Sequence, residues 1–290
     1  MRKIQHYPND AFEFHKKAVS RKKASQEKTI LQSVEKDIED CYTEYNDQFK
    51  KKSLSSLQPF VTTQQTQEAL IGLYQFRRKV FSDLFYSLTT TIDNRRDMLC
   101  PNCTLTDCSQ LDHYMPKSLF PEFSANPLNL MQCCSICNQK KLDRWLNGVH
   151  PIFLNLYIDD LPPVQYLFVD ITMADGIPRF RFYLQKSAGI ESILFNRIES
   201  HYKGLDLCER FAERSDNVIS EIHRDYIASK DAKVTPLQFW EMQRSRAMQE
   251  QSVFGFNYWR SILILECCNN PSFRSYFENQ NTTPCSNDKA

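Results

Sequence analysis

Between Cys100 and Trp145 the chain reads CPNCTLTDCSQLDHYMPKSLFPEFSANPLNLMQCCSICNQKKLDRW, and its reactive side chains fall at spacings that suit a metal. Cys100/Cys103 and Cys134/Cys137 are two C-x2-C pairs. A C-x2-C turn brings two thiolates within reach of one ion, and a second such turn completes a tetrahedral site with no open position. The spacing therefore predicts a structural Zn²⁺ that acts as a staple and not as the catalyst. Binding of this kind is worth roughly 10 to 16 kcal/mol in small zinc peptides, enough to fix a short segment without a core of its own. Cys108 and Cys133 are possible substitute ligands, but neither belongs to a turn-spaced pair with the right partner, and both read as ordinary thiols.

Zinc does not need what lies between the pairs. Asp112-His113 precedes a short loop, Asn129 stands just before the second pair, and Asn138 follows it directly, with Lys141 three residues on. This pattern resembles the HNH, or ββα-metal, endonucleases, whose hairpin bears Asp-His, whose central asparagine follows, and whose helix bears the last His or Asn. Here the last position is Asn138, an amide oxygen in place of an imidazole. The resemblance implies phosphodiester hydrolysis: His113 as general base, since an imidazole titrates near neutral pH; Asp112 and Asn138 on one Mg²⁺ or Mn²⁺, hard cations that prefer oxygen; and Asn129 fixing the hairpin loop and orienting His113. Lys141, Lys117 and Lys140 are candidate phosphate contacts, with a solvated helix face as the ordinary alternative. If the helix runs on past Asn138, then Leu142, Trp145 and Leu146 fall at i+4, i+7 and i+8, a face that packs on the hairpin and aims Asn138 at Asp112.

The tracts LDHYMPKSLFPEFSANPLNLMQCCSICNQKK and FNRIESHYKGLDLCERF resemble those of bacterial HNH proteins encoded beside an ABC-type or SMC-like ATPase, including the nuclease subunit of Septu and retron-associated anti-phage systems. That resemblance implies a nuclease for DNA, or for structured RNA such as tRNA, restrained by an ATPase partner. A different class of reading keeps the zinc and drops the catalysis: a zinc ribbon that binds nucleic acid or assembles a complex.

The elements that must carry these residues follow from hydrophobic period. Residues 1–25 are polar and basic; KKAVSRKK reads as a solvated or frayed end, with nucleic-acid contact as the alternative. From Gln26 to Phe49, Ile30, Leu31, Val34, Ile38, Cys41, Tyr42, Tyr45 and Phe49 keep one helical period, and a second helix runs near Gln65 to Leu88, interrupted by Arg77-Arg78-Lys79. These predict an antiparallel helical hairpin, and the three basic residues read as a solvated or ion-paired face or as a phosphate patch. Downstream, Gln165–Thr172 and Arg179–Leu184 alternate as strands about an Asp175-Gly176 turn, a hairpin that would cover the site or extend its sheet. The rest is helical: Ile193–Tyr202, a longer helix through Leu207, Phe211, Val218, Ile222 and Tyr226, one opened by a Thr235-Pro236-x-Gln238 capping box and reaching Gln251, and a last apolar helix through Phe256, Trp259, Ile262 and Leu265. The expected fold is α+β and mainly helical, with a docking region over 1–97, a zinc-stapled HNH module over 98–148, a hairpin and helices over 149–280, and a disordered tail over 281–290.

Composition limits the function classes. Hydrophobic residues make up 41% and charged residues 24%, as in ordinary globular proteins, and no apolar run is long enough to span a bilayer. The N-terminus has no apolar signal region, and eleven cysteines, four of them on zinc, suit a reducing cytoplasm. There is no Gly-rich phosphate loop, so nucleotide hydrolysis is not expected of this chain. The net charge is only +1, and between residues 100 and 147 Lys117, Lys140, Lys141 and Arg144 are matched by Asp107, Asp112, Glu122 and Asp143. Nucleic-acid binding leans on a basic excess, so a partner is expected to supply the hold on the substrate.

Overall fold

The computed structural model describes residues 1–174 and 176–280, so the expected Asp175-Gly176 turn and the tail beyond 280 lie wholly or partly outside the described residues. The chain is α+β and mainly helical, and it divides into two compact units, Lys3–Leu161 and Pro162 onward, the latter joined by Met1–Arg2.

The first unit opens with α1 (Ala11–Ser20), α2 (Gln26–Ser33) and α3 (Glu35–Lys50). The stretch expected to be a frayed end is thus a helix. The Asp10 carboxylate accepts the Glu13 N–H as its cap, and Ala11, Phe14, His15, Ala18 and Val19 form a buried stripe. The expected single helix over 26–49 is two. Val34 ends α2 and begins α3 with φ −105°, ψ 11°, and the Ser33 hydroxyl donates back to the Ile30 carbonyl at 2.8 Å. No Gly or Pro marks this break, and the apolar period runs through it. The second expected helix also divides, into α4 (Gln64–Ile71) and α5 (Lys79–Leu88); Gly72 closes α4, and Tyr74 and Phe76 leave the helical path before Arg78 opens α5. Four helices, α2 to α5, therefore stand where a two-helix hairpin was expected.

They share a single core with the cysteine-rich segment. Ile38, Tyr42, Tyr45 and Phe49, at intervals of four, three and four on α3, are all buried. Tyr42 and Tyr45 lie against Phe123 at ring separations of 6.1 and 4.7 Å. The same core takes in Leu111, Met115, Phe120, Leu130, Met131 and Trp145. That shared core is why the units part at 161/162 and not at the expected 97 and 148.

Within it, β1 (Gln110–His113) pairs antiparallel with β2 (Leu130–Cys133), setting Asp112 opposite Met131 and His113 opposite Leu130. A short helix, α6 (Ser135–Lys141), follows, then the two-residue strands β3 (Leu146–Asn147) and β4 (His150–Pro151). The helical face expected to run on to Leu146 does not form. Leu142 takes φ 52°, which ends α6, and its side chain is exposed. Trp145 is buried by the chain's return, edge-on to Tyr114 at 4.9 Å.

The second unit holds the hairpin of β5 (Leu167–Ala174) and β6 (Ile177–Leu184), then α7 (Ser192–Gly204), α8 (Leu207–Asp231), α9 (Pro236–Phe254), α10 (Trp259–Asn269) and α11 (Pro271–Gln280). This hairpin forms its own two-stranded sheet packed by α8 and α10, so it does not extend the β1–β2 sheet. The capping box is present as expected: the Thr235 side chain accepts the Gln238 N–H, and the Gln238 side chain accepts the Thr235 N–H at 3.0 Å. Asn257 fastens the start of β5, its Oδ1 accepting the Tyr166 and Leu167 N–H groups at 2.7 and 2.9 Å. Among the described residues no helix is long and apolar enough to cross a membrane.

Candidate metal centre and active site

Two turns build the cysteine cluster. Cys100 and Cys103 lie in a loop closed by the Thr104 N–H on the Cys100 carbonyl (2.8 Å), while Cys134 is the N-cap of α6 and Cys137 lies in its first turn. Their four Sγ atoms lie within 4.8 Å of one another, and all four residues are buried. The Cys103–Cys134 Sγ separation is 3.8 Å, which matches the edge of a tetrahedron whose metal–sulfur bonds are about 2.3 Å. Hydrogen bonds from the Cys103, Cys108, Cys133 and Cys134 thiols hold Cys100 well below its ordinary value, whereas the crowd of Cys100, Cys103, Cys133 and Cys134 pushes Cys137 up. Four thiols this close cannot all ionise without a cation among them, and a soft dication such as Zn²⁺ is what the donor set suits. Cys133 stands outside the four, its thiol turned to the Cys134 carbonyl at 3.3 Å.

β1 and β2 carry the next layer. Asn129 is fully buried, its Oδ1 accepting the Met115 N–H at 2.8 Å and its Nδ2 donating to the Met115 and Phe123 carbonyls at 3.0 and 3.3 Å. The amide therefore ties both sides of the long β1–β2 connection together, next to His113. Tyr45 of α3 adds a bond from its hydroxyl to the Leu128 carbonyl at 3.3 Å.

His113 is 8% exposed, and its Nε2 lies 2.9 Å from the Ser124 carbonyl oxygen. A carbonyl only accepts, so Nε2 carries the proton and donates, and Nδ1 of the neutral ring keeps its lone pair. Burial, together with the Lys117 and Lys141 cations, brings the imidazole down to about 3, against the opposing pull of the Ser124 bond. The Tyr74 ring, from the stretch between α4 and α5, stands edge-on to His113 at 4.6 Å, and its hydroxyl donates to the Leu111 carbonyl at 2.9 Å. Tyr74 thus fixes the ring from outside the motif. Sequence reasoning missed it; Gly72, a helix terminator two residues earlier, was the available sign that Tyr74 leaves the helical stripe.

Asp112 is 8% exposed, and burial raises its carboxyl against the Lys141 cation, whose Nζ lies 3.4 Å from Oδ2. Lys141 also donates to the His113 carbonyl at 2.7 Å and is itself only 6% exposed. Its ammonium thus faces Asp112 and the strand, not the solvent where a phosphate would arrive. Asn138, half-buried, stands three residues before Lys141 on α6, on the side of the helix that Lys141 turns to Asp112. Lys117 is half-buried with Nζ 5.5 Å over the Tyr74 ring, and Lys140 is half-buried at the end of α6.

No family model matches the chain, and no solved structure matches it. Among curated proteins it is similar to protein ea31 of Escherichia phage lambda, 27% identical over 131 residues, which make up 42% of this chain and 43% of that protein. The match therefore spans less than half of the relative's length.

Proposed function

We propose that the protein is a metal-dependent HNH endonuclease that hydrolyses phosphodiester bonds in DNA or in structured RNA such as tRNA. The observation that carries this reading is His113: a neutral imidazole held by one donated bond to the Ser124 carbonyl, with Nδ1 unprotonated, beside a buried Asp112 in a cysteine-stapled β-hairpin and helix. In the reaction, Nδ1 takes a proton from water as the water oxygen attacks phosphorus, and the bond from phosphorus to the departing sugar oxygen breaks. The Ser124 carbonyl stabilises the imidazolium that forms. The approaching phosphate, being negative, raises the basicity that burial and the two lysines hold down. Asp112 and Asn138 offer oxygen donors to one Mg²⁺ or Mn²⁺, which when bound supplies Lewis acidity and stabilises the leaving oxygen. In the wider reading this is the effector nuclease of an ATPase-regulated anti-phage complex in the cytoplasm.

A second reading is a non-catalytic zinc module, and one observation favours it: Lys141 already neutralises Asp112. Cleavage of supercoiled plasmid and of total RNA, with Mg²⁺ or Mn²⁺, by wild type and His113→Ala, each alone and with any ATPase encoded next door, separates the two. Cutting that requires the metal and falls at least ~100-fold in His113→Ala supports the nuclease. Equal cutting by both proteins would sink the His113 mechanism, and no cutting even with such an ATPase present leaves the zinc module.

A further inference from the structure

Two basic clusters that are far apart in the sequence meet in the fold. Arg21, Lys22 and Lys23 from the turn after α1, and Arg78 and Lys79 at the start of α5, line one open cleft of about 600 Å³ with Glu27 the acidic residue in its wall. Five cations against one carboxylate give this wall a net +4, in a chain whose whole net charge is +1. Some of that charge is already answered: Lys22 pairs with Glu27, and Lys79 pairs with Asp83 at 3.0 Å. The side chains of Arg21, Lys23 and Arg78 have no ion pair among the described residues, although Arg78 is close enough to hold the Glu27 carboxyl down after its Lys22 partner.

The clusters are held in place. Lys28 Nζ donates to the Ser20 and Lys22 carbonyls at 2.8 and 2.9 Å, clamping the turn that carries Arg21 and Lys23. Arg78 is fixed by its N–H on the Gln75 carbonyl (2.9 Å) and by the Phe81 N–H on its own carbonyl (2.9 Å). The inner wall of the cleft approaches the candidate site through the core. Phe81 lies in its wall and meets Tyr74 at 4.9 Å, and Tyr74 meets His113 at 4.6 Å. Two ring contacts laid end to end span at most ~10 Å, so the wall begins within that distance of the imidazole. Duplex phosphates recur about every 3.4 Å of axis on each strand, so that is a reach of a few nucleotides.

We propose that this cleft binds the phosphodiester backbone of the nucleic acid on either side of the bond presented to His113. The inference rests on the nuclease reading for its orientation toward His113, but the binding itself does not. It also relocates the hold on substrate: the charge balance of residues 100–147 is zero, and the cleft would add cations from the N-terminal helices.

The test is equilibrium binding of labelled duplex DNA and of structured RNA to the full-length zinc-loaded protein in the His113→Ala background, across a salt series. The comparison is a triple variant, Arg21→Gln, Lys23→Gln and Arg78→Gln, with a control of equal charge change in the second unit, Arg214→Gln, Arg224→Gln and Lys233→Gln. The expected result is that the cleft variant binds at least about tenfold more weakly and loses about 2 to 3 from the slope of log affinity against log salt, while the control behaves as the parent does. No binding by the parent, an unchanged slope in the cleft variant, or equal losses in both variants would overturn the proposal. The parent's own salt slope reads the phosphate contacts whether or not a variant folds. Cleft-dependent binding without metal-dependent cutting by the wild type would sink the nuclease reading and leave the cleft standing; cutting with KM unmoved by the cleft substitutions would do the reverse. The stronger of the DNA and RNA arms identifies the source of the backbone.

Discussion

At the scale of single residues, the candidate site is held by groups that can each form only one useful set of bonds. Asn129 is the clearest. A carboxylate there could not donate to Met115 and Phe123, and an alanine would take the partner from the Met115 N–H and the Met115 carbonyl in a dry interior, while the Phe123 carbonyl keeps the Asn126 N–H at 3.1 Å. Asn129→Ala is expected to lower the unfolding free energy by about 3 kcal/mol, measured by denaturant titration of the zinc-loaded protein. A loss below about 1 kcal/mol would mean that water reaches the loop. Lys141 teaches the opposite lesson. Its type and its place on a helix after a cysteine pair suit a phosphate contact, yet its ammonium lies between Asp112 and the His113 carbonyl. Nothing local distinguishes an inward from an outward lysine at the end of a seven-residue helix.

At the scale of elements, α1 and α3 form the support on which the β1–β2 loop rests, and a histidine sits inside that support. His15 is buried, stacked on Phe12 at 5.8 Å and edge-on to Tyr42 at 5.3 Å, with Nδ1 3.2 Å from the Tyr42 hydroxyl. Burial lowers it from 6.5 to about 4. Because the folded value is below the unfolded one, the unfolded chain binds the extra proton between these limits. The stabilisation from neutral His15 is therefore complete above pH 6.5 and is lost as pH falls toward 4, up to about 3 kcal/mol. Glu122 and Asp112, whose carboxyls burial raises, act with the opposite sign, so the measurement must be a difference. Denaturation at about pH 7.5 and 4.5 is expected to show a smaller loss on acidification in His15→Phe than in wild type. Equal losses would show that His15 ionises in place. The same element exposes the limit of pattern reading: α1 was hidden because five basic residues in KKAVSRKK mask a stripe of Phe14, Ala18 and Val19 that the core buries.

At the scale of the whole molecule, two units with separate cores should answer zinc differently. Stripping the metal removes the staple from β1, β2 and the seven-residue α6, and the two short strands lend Leu111, Leu130 and Met131 to the core of α1 to α5. The β5–β6 hairpin packs on α8 and α10 within the second unit. Amide exchange of the full chain, with zinc and after chelation, is expected to rise by orders of magnitude across residues 100–141 and to stay level across Leu167–Ala174 and α8. A uniform rise in both units would contradict their independence. One zinc per chain, falling in Cys137→Ser, is the accompanying metal count.

The cysteine pairs, the Thr235–Gln238 capping box and the two alternating strands, expected at 165–172 and 179–184 and formed at 167–174 and 177–184, were legible from sequence because each depends on residues a few positions apart, whose geometry the local backbone dictates. The breaks at Val34 and at Leu142 were not, since the apolar period crosses both and only packing decides whether a helix continues, and the break after Gly72 had that glycine as its one local sign. By itself the sequence determined which residues could do chemistry: four thiols for a metal, and an Asp-His pair with two asparagines nearby. Tertiary structure alone decided which nitrogen of His113 is free, that Tyr74 braces it, that Lys141 turns inward, and that Arg21, Lys23 and Arg78 share a cleft. Each of these turns on groups brought together by folding, and neither a hydrogen-bond partner nor a local field is a property of residue type or spacing.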